Sequence, residues 1–211
     1  MKKIQNKHFV KFCDVIKRSL IDASKYDDCL SDMISASVDD ANHSIVYNDH
    51  MFNMEVVKLD EYTRDFNQKR RIEMPELKVD HTPAAVDAIC INKENEWFLI
   101  EFKNEPIRNI LKSTPKKMLS SLWLIAFLYS KLSERIADET DFLKFAREKV
   151  TFITVVSSEK NEDDIETIGT TWERDASFYT PPKFVKYKGY YFKDVYVLTE
   201  SGMRFFIELF D

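Results

Sequence analysis

The sequence predicts an α/β fold in which a central sheet is covered by helices on both faces. Three observations predict it. Residues 84–92 and 97–104 are short apolar runs around the polar turn Asn92-Lys93-Glu94-Asn95-Glu96, and they read as an antiparallel hairpin. Both faces of that hairpin are apolar, the pattern of a sheet buried on both sides. Segments with helical spacing precede and follow it in the chain.

The elements follow in order. Phe9, Val10, Phe12, Cys13, Val15, Ile16, Leu20 and Ile21 recur at helical spacing. They predict an amphipathic N-terminal helix within residues 8–36, with a break near Lys25-Tyr26-Asp27-Asp28. Residues 54–59 read as a strand, and residues 71–78 as an edge strand broken by Pro75. After the hairpin, Thr114-Pro115 reads as an N-cap followed by proline at the first helical position, opening a helix to about Ile136. Residues 140–148 give a shorter helix, 149–157 a strand, 190–199 a last strand and 201–210 a closing helix. The chain therefore reads as a single domain, 1–211, with a helical segment over 1–50 and a polar loop insertion near 159–182.

Composition sets bounds. A chain of 211 residues is long enough for a substantial core, and 44% hydrophobic with 13% aromatic content favours a folded globule over disorder. The net charge of −5 does not advertise nucleic-acid binding, so phosphate contacts would need a local basic stripe. One such stripe follows the hairpin: Lys103, Arg108, Lys112, Lys116 and Lys117, whose plainer reading is a solvated face. Cys13, Cys29 and Cys90 lack CxxC spacing and leave an odd thiol, which predicts a reduced, cytoplasmic setting. The N-terminus interrupts its apolar residues with charges, unlike a signal peptide. The most apolar stretch, 118–129, is too short to span a bilayer, so no membrane partner is expected.

Several chemistries fall away. His8, His43, His50 and His81 show no zinc-ligand spacing. Gly169, Gly189 and Gly202 are the only glycines, too few for a phosphate loop or a dinucleotide fingerprint. There is no GxSxG elbow, and Cys90 lies on an apolar face that marks it as core.

The hairpin carries the candidate chemistry. With its turn centred on Glu94, Asp87 faces Glu101 across the strands, and Lys103 joins them on the same face. Opposed carboxylates repel, and a shielded charge is costly without a partner. A divalent cation answers both problems, and a lysine beside it can work on an activated water. A rival triplet, Glu76-Leu77-Lys78 with Asp65 upstream, follows Pro75 and has no continuous apolar strand around it.

Asp87, thirteen intervening residues, then Glu101-Phe102-Lys103 resembles the signature of the PD-(D/E)xK, or restriction-endonuclease-like, nuclease superfamily. The likeness covers residues 84–104, with a weaker extension to 156. Val86 stands where the signature has proline, and the nearest proline is Pro83. The resemblance implies a mixed β-sheet flanked by helices in the order α-β-β-β-α-β. It implies Mg²⁺ or Mn²⁺ held by Asp87 and Glu101 with help from the Phe102 carbonyl, and Lys103 as the group assisting hydrolysis. DNA or RNA is the implied substrate. A further acid from an upstream element is also implied, with Glu55, Asp60 and Glu61 all open.

Lys117 and Ser121 are four apart and share a helix face. A helix starting at Pro115 puts Lys117 in its first turn, where the dipole favours an anion. The resemblance brings polar groups of this helix to the active site, so Lys117 and Ser121 are the expected nucleic-acid contacts. The plainer reading is the exposed edge of a packed helix. Two functions remain open: a metal-dependent nuclease, or a nuclease-fold protein that binds nucleic acid or regulates with little catalysis. The overall acidity favours the second, the complete Asp/Glu/Lys set favours the first, and a homodimer is compatible with both.

Overall fold

The computed structural model describes residues 6–39, 43–73, 84–133, 139–164 and 178–208. Its sheet grows outward from the hairpin. β1 (Leu30–Asp32) and β2 (Glu55–Lys58) pair antiparallel, and β2 pairs antiparallel with β3 (Ala88–Ile91). β3 and β4 (Trp97–Lys103) form the hairpin, from Ala88↔Ile100 to Ile91↔Trp97, which centres the turn on Glu94. Asn92 builds that turn: its side-chain oxygen accepts from the Glu94 and Glu96 N–H groups at 3.0 and 2.9 Å. Asn95 takes φ 57°, a left-handed conformation that asparagine tolerates. β5 (Val150–Val156) and β6 (Asp194–Thr199) continue parallel on the far side of β4. The result is a six-stranded mixed sheet in sequence order, β1 to β6.

The helices are, in chain order, α1 (Lys7–Ser19), α2 (Tyr26–Cys29), α3 (Met33–Ala36), α4 (Leu59–Glu73), α5 (Ile107–Ser133), α6 (Glu139–Lys149) and α7 (Glu200–Glu208). The parallel step from β4 to β5 needs a long crossover, which α5 and α6 supply. Trp97 marks the face they cover. Its ring lies 5.2 Å from Phe12 of α1, 6.4 Å from Tyr129 of α5 and 5.2 Å from Phe145 of α6, centroid to centroid. The opposite face is closed by α7, whose Phe206 meets Phe98 at 5.0 Å. Both faces of β4 are therefore covered, and Glu101 shares the α5 side with Trp97 by strand alternation.

Four elements differ from the sequence reading. The predicted helix over 8–36 stops at Ser19, and its later part supplies edge strand β1, because β2 offers an unpaired row of backbone groups for three residues to satisfy. Asp22 and Asp32 cap short helical turns before and after β1, accepting from Ser24 and Ser35 N–H. Residues 71–73 are the end of α4, not an edge strand: Leu59, Tyr62 and Phe66 bury one helical face and carry the helix on. The remaining part of that expected strand, with the Glu76-Leu77-Lys78 triplet, lies outside the described residues.

The third difference is the start of α5, eight residues before Pro115. The Asn161 side chain accepts the Ile107 N–H at 2.6 Å and so caps the helix from 54 residues away. Buried Ile107, Ile110 and Thr114 then hold the first turns against the core, at the cost of the hydrogen bond that Pro115 cannot make. Fourth, the last strand starts at Asp194, and residues before it form turns around Gly189. Within the 159–182 insertion, Glu159–Asn161 is a 3₁₀ turn, and residues 165–177 lie outside the described part. Cys13, Cys29 and Cys90 are free and buried. Among the described residues no helix is long and apolar enough to cross a membrane.

Candidate active site

Asp87 stands one residue before β3, so the hairpin register sets it opposite Glu101. Its Oδ2 accepts the Phe102 N–H at 2.6 Å, which ties the carboxylate to the strand bearing the second acid. Glu101 is 0% exposed, inside the most deeply paired strand of the sheet. A carboxylate there is tolerable only with charge compensation. Two lysines supply it. Lys103 Nζ lies 2.9 Å from Glu101 Oε1, and Lys117 Nζ lies 2.6 Å from the same oxygen and 3.4 Å from Asp87 Oδ1. The second oxygen of Glu101, Oε2, is buried with no hydrogen-bond partner among the described residues.

These groups line one cleft of about 390 Å³, together with Lys58 and Asp60. Of the three upstream acids left open by the sequence, Asp60 is the one that shares the cleft. β2 pairs Lys58 with Ala88, and the Leu59 N–H bonds the Asp87 carbonyl at 3.2 Å, so the first turn of α4 begins beside Asp87. Asp60 Oδ1 is buried without a hydrogen-bond partner, while its Oδ2 is 3.9 Å from Arg64. The other two candidates point elsewhere. Glu61 pairs with Arg64 at 3.0 Å and lines a separate pocket with Asp65, and Glu55 sits in the β1–β2 register opposite Asp32.

Electrostatics sharpen the picture. Burial, and then the charge of Glu101, push the Asp87 carboxyl up to about 7, with Lys117 and the Phe102 N–H pulling the other way. Solvent reaches 24% of the Asp87 side chain, so part of that burial penalty is relieved by water. Burial alone would lower the Lys117 pKa, but the two carboxylates more than reverse it, and the net shift is upward. Between the unfolded value near 3.8 and about 7, the folded chain holds a proton on Asp87 that the unfolded chain has lost. Metal-free stability is therefore expected to fall as pH rises through that window, and Asp87→Asn to flatten the slope. Urea titrations at several pH values check this; equal slopes for the two proteins would refute it.

The α5 residues take roles that the sequence reading did not give them. Lys117 is in the helix interior, so no helix dipole acts on it, and its ammonium turns inward to the acid pair. Ser121 is 0% exposed, and its hydroxyl accepts the Val86 N–H at 3.0 Å. Beside it, Ser120 donates to the Ala84 carbonyl. Two serines thus pin the strand entering Asp87, and Ser121 is positioned to orient that acid rather than to meet a ligand. The basic stripe is not uniform: Lys103 and Lys117 serve the carboxylates, and Arg108 lines a pocket with Glu159, Glu162, Asp163 and Asp164. Lys112 and Lys116 are exposed on α5.

Among the described residues no group of three or more His, Cys, Asp or Glu side chains is arranged to hold a metal ion. The cleft instead has Lys117 between its two closest acids. The donor chemistry nevertheless suits a hard cation: Asp39, Asp60, Asp87, Glu101 and Glu105 all line the cleft, and among the described residues Asp60 and Glu101 each carry a buried oxygen without a hydrogen-bond partner. No protein family, curated protein or solved structure gives a match to this chain.

Proposed function

We propose that the chain is a metal-dependent nuclease of the restriction-endonuclease-like kind, hydrolysing phosphodiester bonds in DNA or RNA. The observation that carries this reading is Glu101: a carboxylate with no exposure, opposite Asp87, with Lys103 at 2.9 Å. A protein seldom buries two facing acids without a use for them. The antiparallel neighbours β2, β3 and β4 after a helix, then the crossover helices and parallel β5, support the α-β-β-β-α-β core of that superfamily, with α4 set between β2 and β3 and β1 added at the edge.

Asp87 and Glu101 would hold Mg²⁺ or Mn²⁺, with Asp60 as the further acid. The ion would supply Lewis acidity, activating water and offsetting the charge that grows on the phosphate. Lys103 would orient that water, and its ammonium would stabilise the phosphate oxygens. Asp87 would give up its proton as the ion binds, so affinity for the ion should weaken as pH falls below about 7. The Phe102 N–H and the serine pair would keep Asp87 aimed at Glu101 throughout.

One observation favours a second reading, a nuclease-fold protein that binds without cutting. Lys103 and Lys117 already offset Asp87 and Glu101 charge for charge. The deciding experiment incubates single- and double-stranded DNA and RNA with Mn²⁺, alongside melting curves in Mn²⁺ and in EDTA. Cleavage together with a rise in Tm supports the nuclease. A flat Tm and intact substrates would leave only the binding reading.

A further inference from the structure

A second surface lies at the opposite end of the sheet. It forms where β5 and β6 begin, whereas Glu101 and Lys103 sit at the far end of β4. Those positions are four to six residues further along the parallel strands, or about 13–20 Å away. In a chain of net charge −5, residues 183–193 carry Lys183, Lys186, Lys188 and Lys193 with no acid among them. Aromatics alternate with these lysines: Phe184, Tyr187, Tyr190, Tyr191 and Phe192.

The structure divides this segment into an anchor and a platform. Phe184 and Phe192 are buried, and Phe192 packs on Phe152 of β5 at 5.7 Å. Gly189, at φ +68°, makes the turn that a side-chain-bearing residue would resist, and its N–H bonds the Phe192 carbonyl at 2.6 Å. That turn leaves Tyr190 60% exposed. The Arg147 guanidinium, at the end of α6, lies 5.5 Å from the Tyr190 ring centroid, and its Nε donates to the Tyr190 carbonyl at 2.8 Å. Tyr191 meets the same ring edge-on at 4.8 Å. A 60% exposed ring fixed by a cation and a neighbouring ring is a rigid surface on which a base can stack.

The charges sort in the same way. Lys188 is spent on Asp194 and Lys193 on Glu96, each at 2.5 Å. Lys183, Lys186 and Arg147 have no carboxylate partner among the described residues, and Glu148 is the acid nearest to them in the α6 sequence. We infer that this face binds single-stranded nucleic acid, with a base stacked on Tyr190 and the backbone phosphates met by Lys183, Lys186 and Arg147. Stacking on an open ring needs unpaired bases, which separates single strands from duplexes. An anionic bilayer fits less well: the large apolar side chains of the segment point inward, and Val185, 54% exposed, is the chief aliphatic group left to insert.

Fluorescence anisotropy in EDTA tests this apart from any metal chemistry, using the full chain with labelled oligo(dT), oligo(U) and a matched duplex. The wild type should prefer the single strands. Tyr190→Ala should weaken single-strand binding by about tenfold, and Tyr190→Phe should restore it. Lys183→Gln with Lys186→Gln should lower the slope of log affinity against log salt by about 1.4, two phosphate contacts for a single strand. No measurable binding at low salt, equal binding by Tyr190→Ala, or tighter binding to phosphatidylserine vesicles than to oligonucleotide would each overturn the proposal.

Discussion

Glu101→Gln is expected to reduce metal-dependent cleavage by about 10³-fold or more, because several kcal/mol of transition-state stabilisation depend on the ion it helps to hold. The same change should remove most of the rise in Tm produced by Mn²⁺. The fold should survive, and the local charges explain why. Glutamine keeps the shape of the side chain in a position with no exposure. Lys103 retains Glu105 at 3.8 Å, and Lys117 retains Asp87 at 3.4 Å, so neither ammonium is stranded. Loss of activity would thus be separable from loss of structure, with far-UV circular dichroism and EDTA melting curves as controls. Cleavage within about tenfold of wild type, with the Mn²⁺ response intact, would remove Glu101 from the catalytic set and the nuclease reading with it.

The part of this site legible in the sequence is the part governed by local rules. Period two and a five-residue polar turn determine that Asp87 faces Glu101 and that Lys103 shares their side, and the register Ala88↔Ile100 agrees. The i,i+4 rule likewise brought Lys117 and Ser121 to one helix face, and both do meet the hairpin. Their roles were not legible. Thr114-Pro115 has the form of a helix start, but Asn161 caps the helix at Ile107 through a contact that no local pattern announces. Moving the start back places Lys117 mid-helix and takes the dipole argument away. Asp60 could be separated from Glu55 and Glu61 only by knowing that β2 lies beside β3, a long-range pairing. β1 is three residues long, too short for alternation to register, and forms because an edge is there to pair with. The 183–193 platform was not singled out for a related reason: nothing in the sequence marks which of its lysines are paired, and the structure shows Lys188 and Lys193 held by Asp194 and Glu96.

Lys117→Met is expected to destabilise the metal-free protein by about 1–3 kcal/mol near pH 8, lowering Tm by roughly 3–10 °C. Breaking a fully buried ion pair costs more, but about a quarter of the Lys117 and Asp87 side chains reaches solvent, at 26% and 24%, and water repays part of the loss. Methionine fills the space of the lysine stem, so the lost charge, and not a cavity, is what the experiment reads. Without the ammonium, Glu101 faces Asp87 with only Lys103 to offset both. The Asp87 carboxyl then holds its proton to still higher pH than the wild-type value of about 7. The difference between the two proteins should accordingly shrink as pH falls below about 6, where Asp87 becomes neutral in both. Lys117 itself sets no limit on that window, since its pKa is shifted upward and it stays charged throughout. Mn²⁺ should recover more stability in the variant than in the wild type, because the cation meets two carboxylates with Lys103 alone beside them, where the wild type keeps a second ammonium. A variant as stable as the wild type at pH 8, with no change in its Mn²⁺ response, would mean that the ammonium is not the counter-ion of the acid pair. A variant destabilised equally at every pH would assign the loss to the Glu101 contact at 2.6 Å and not to Asp87.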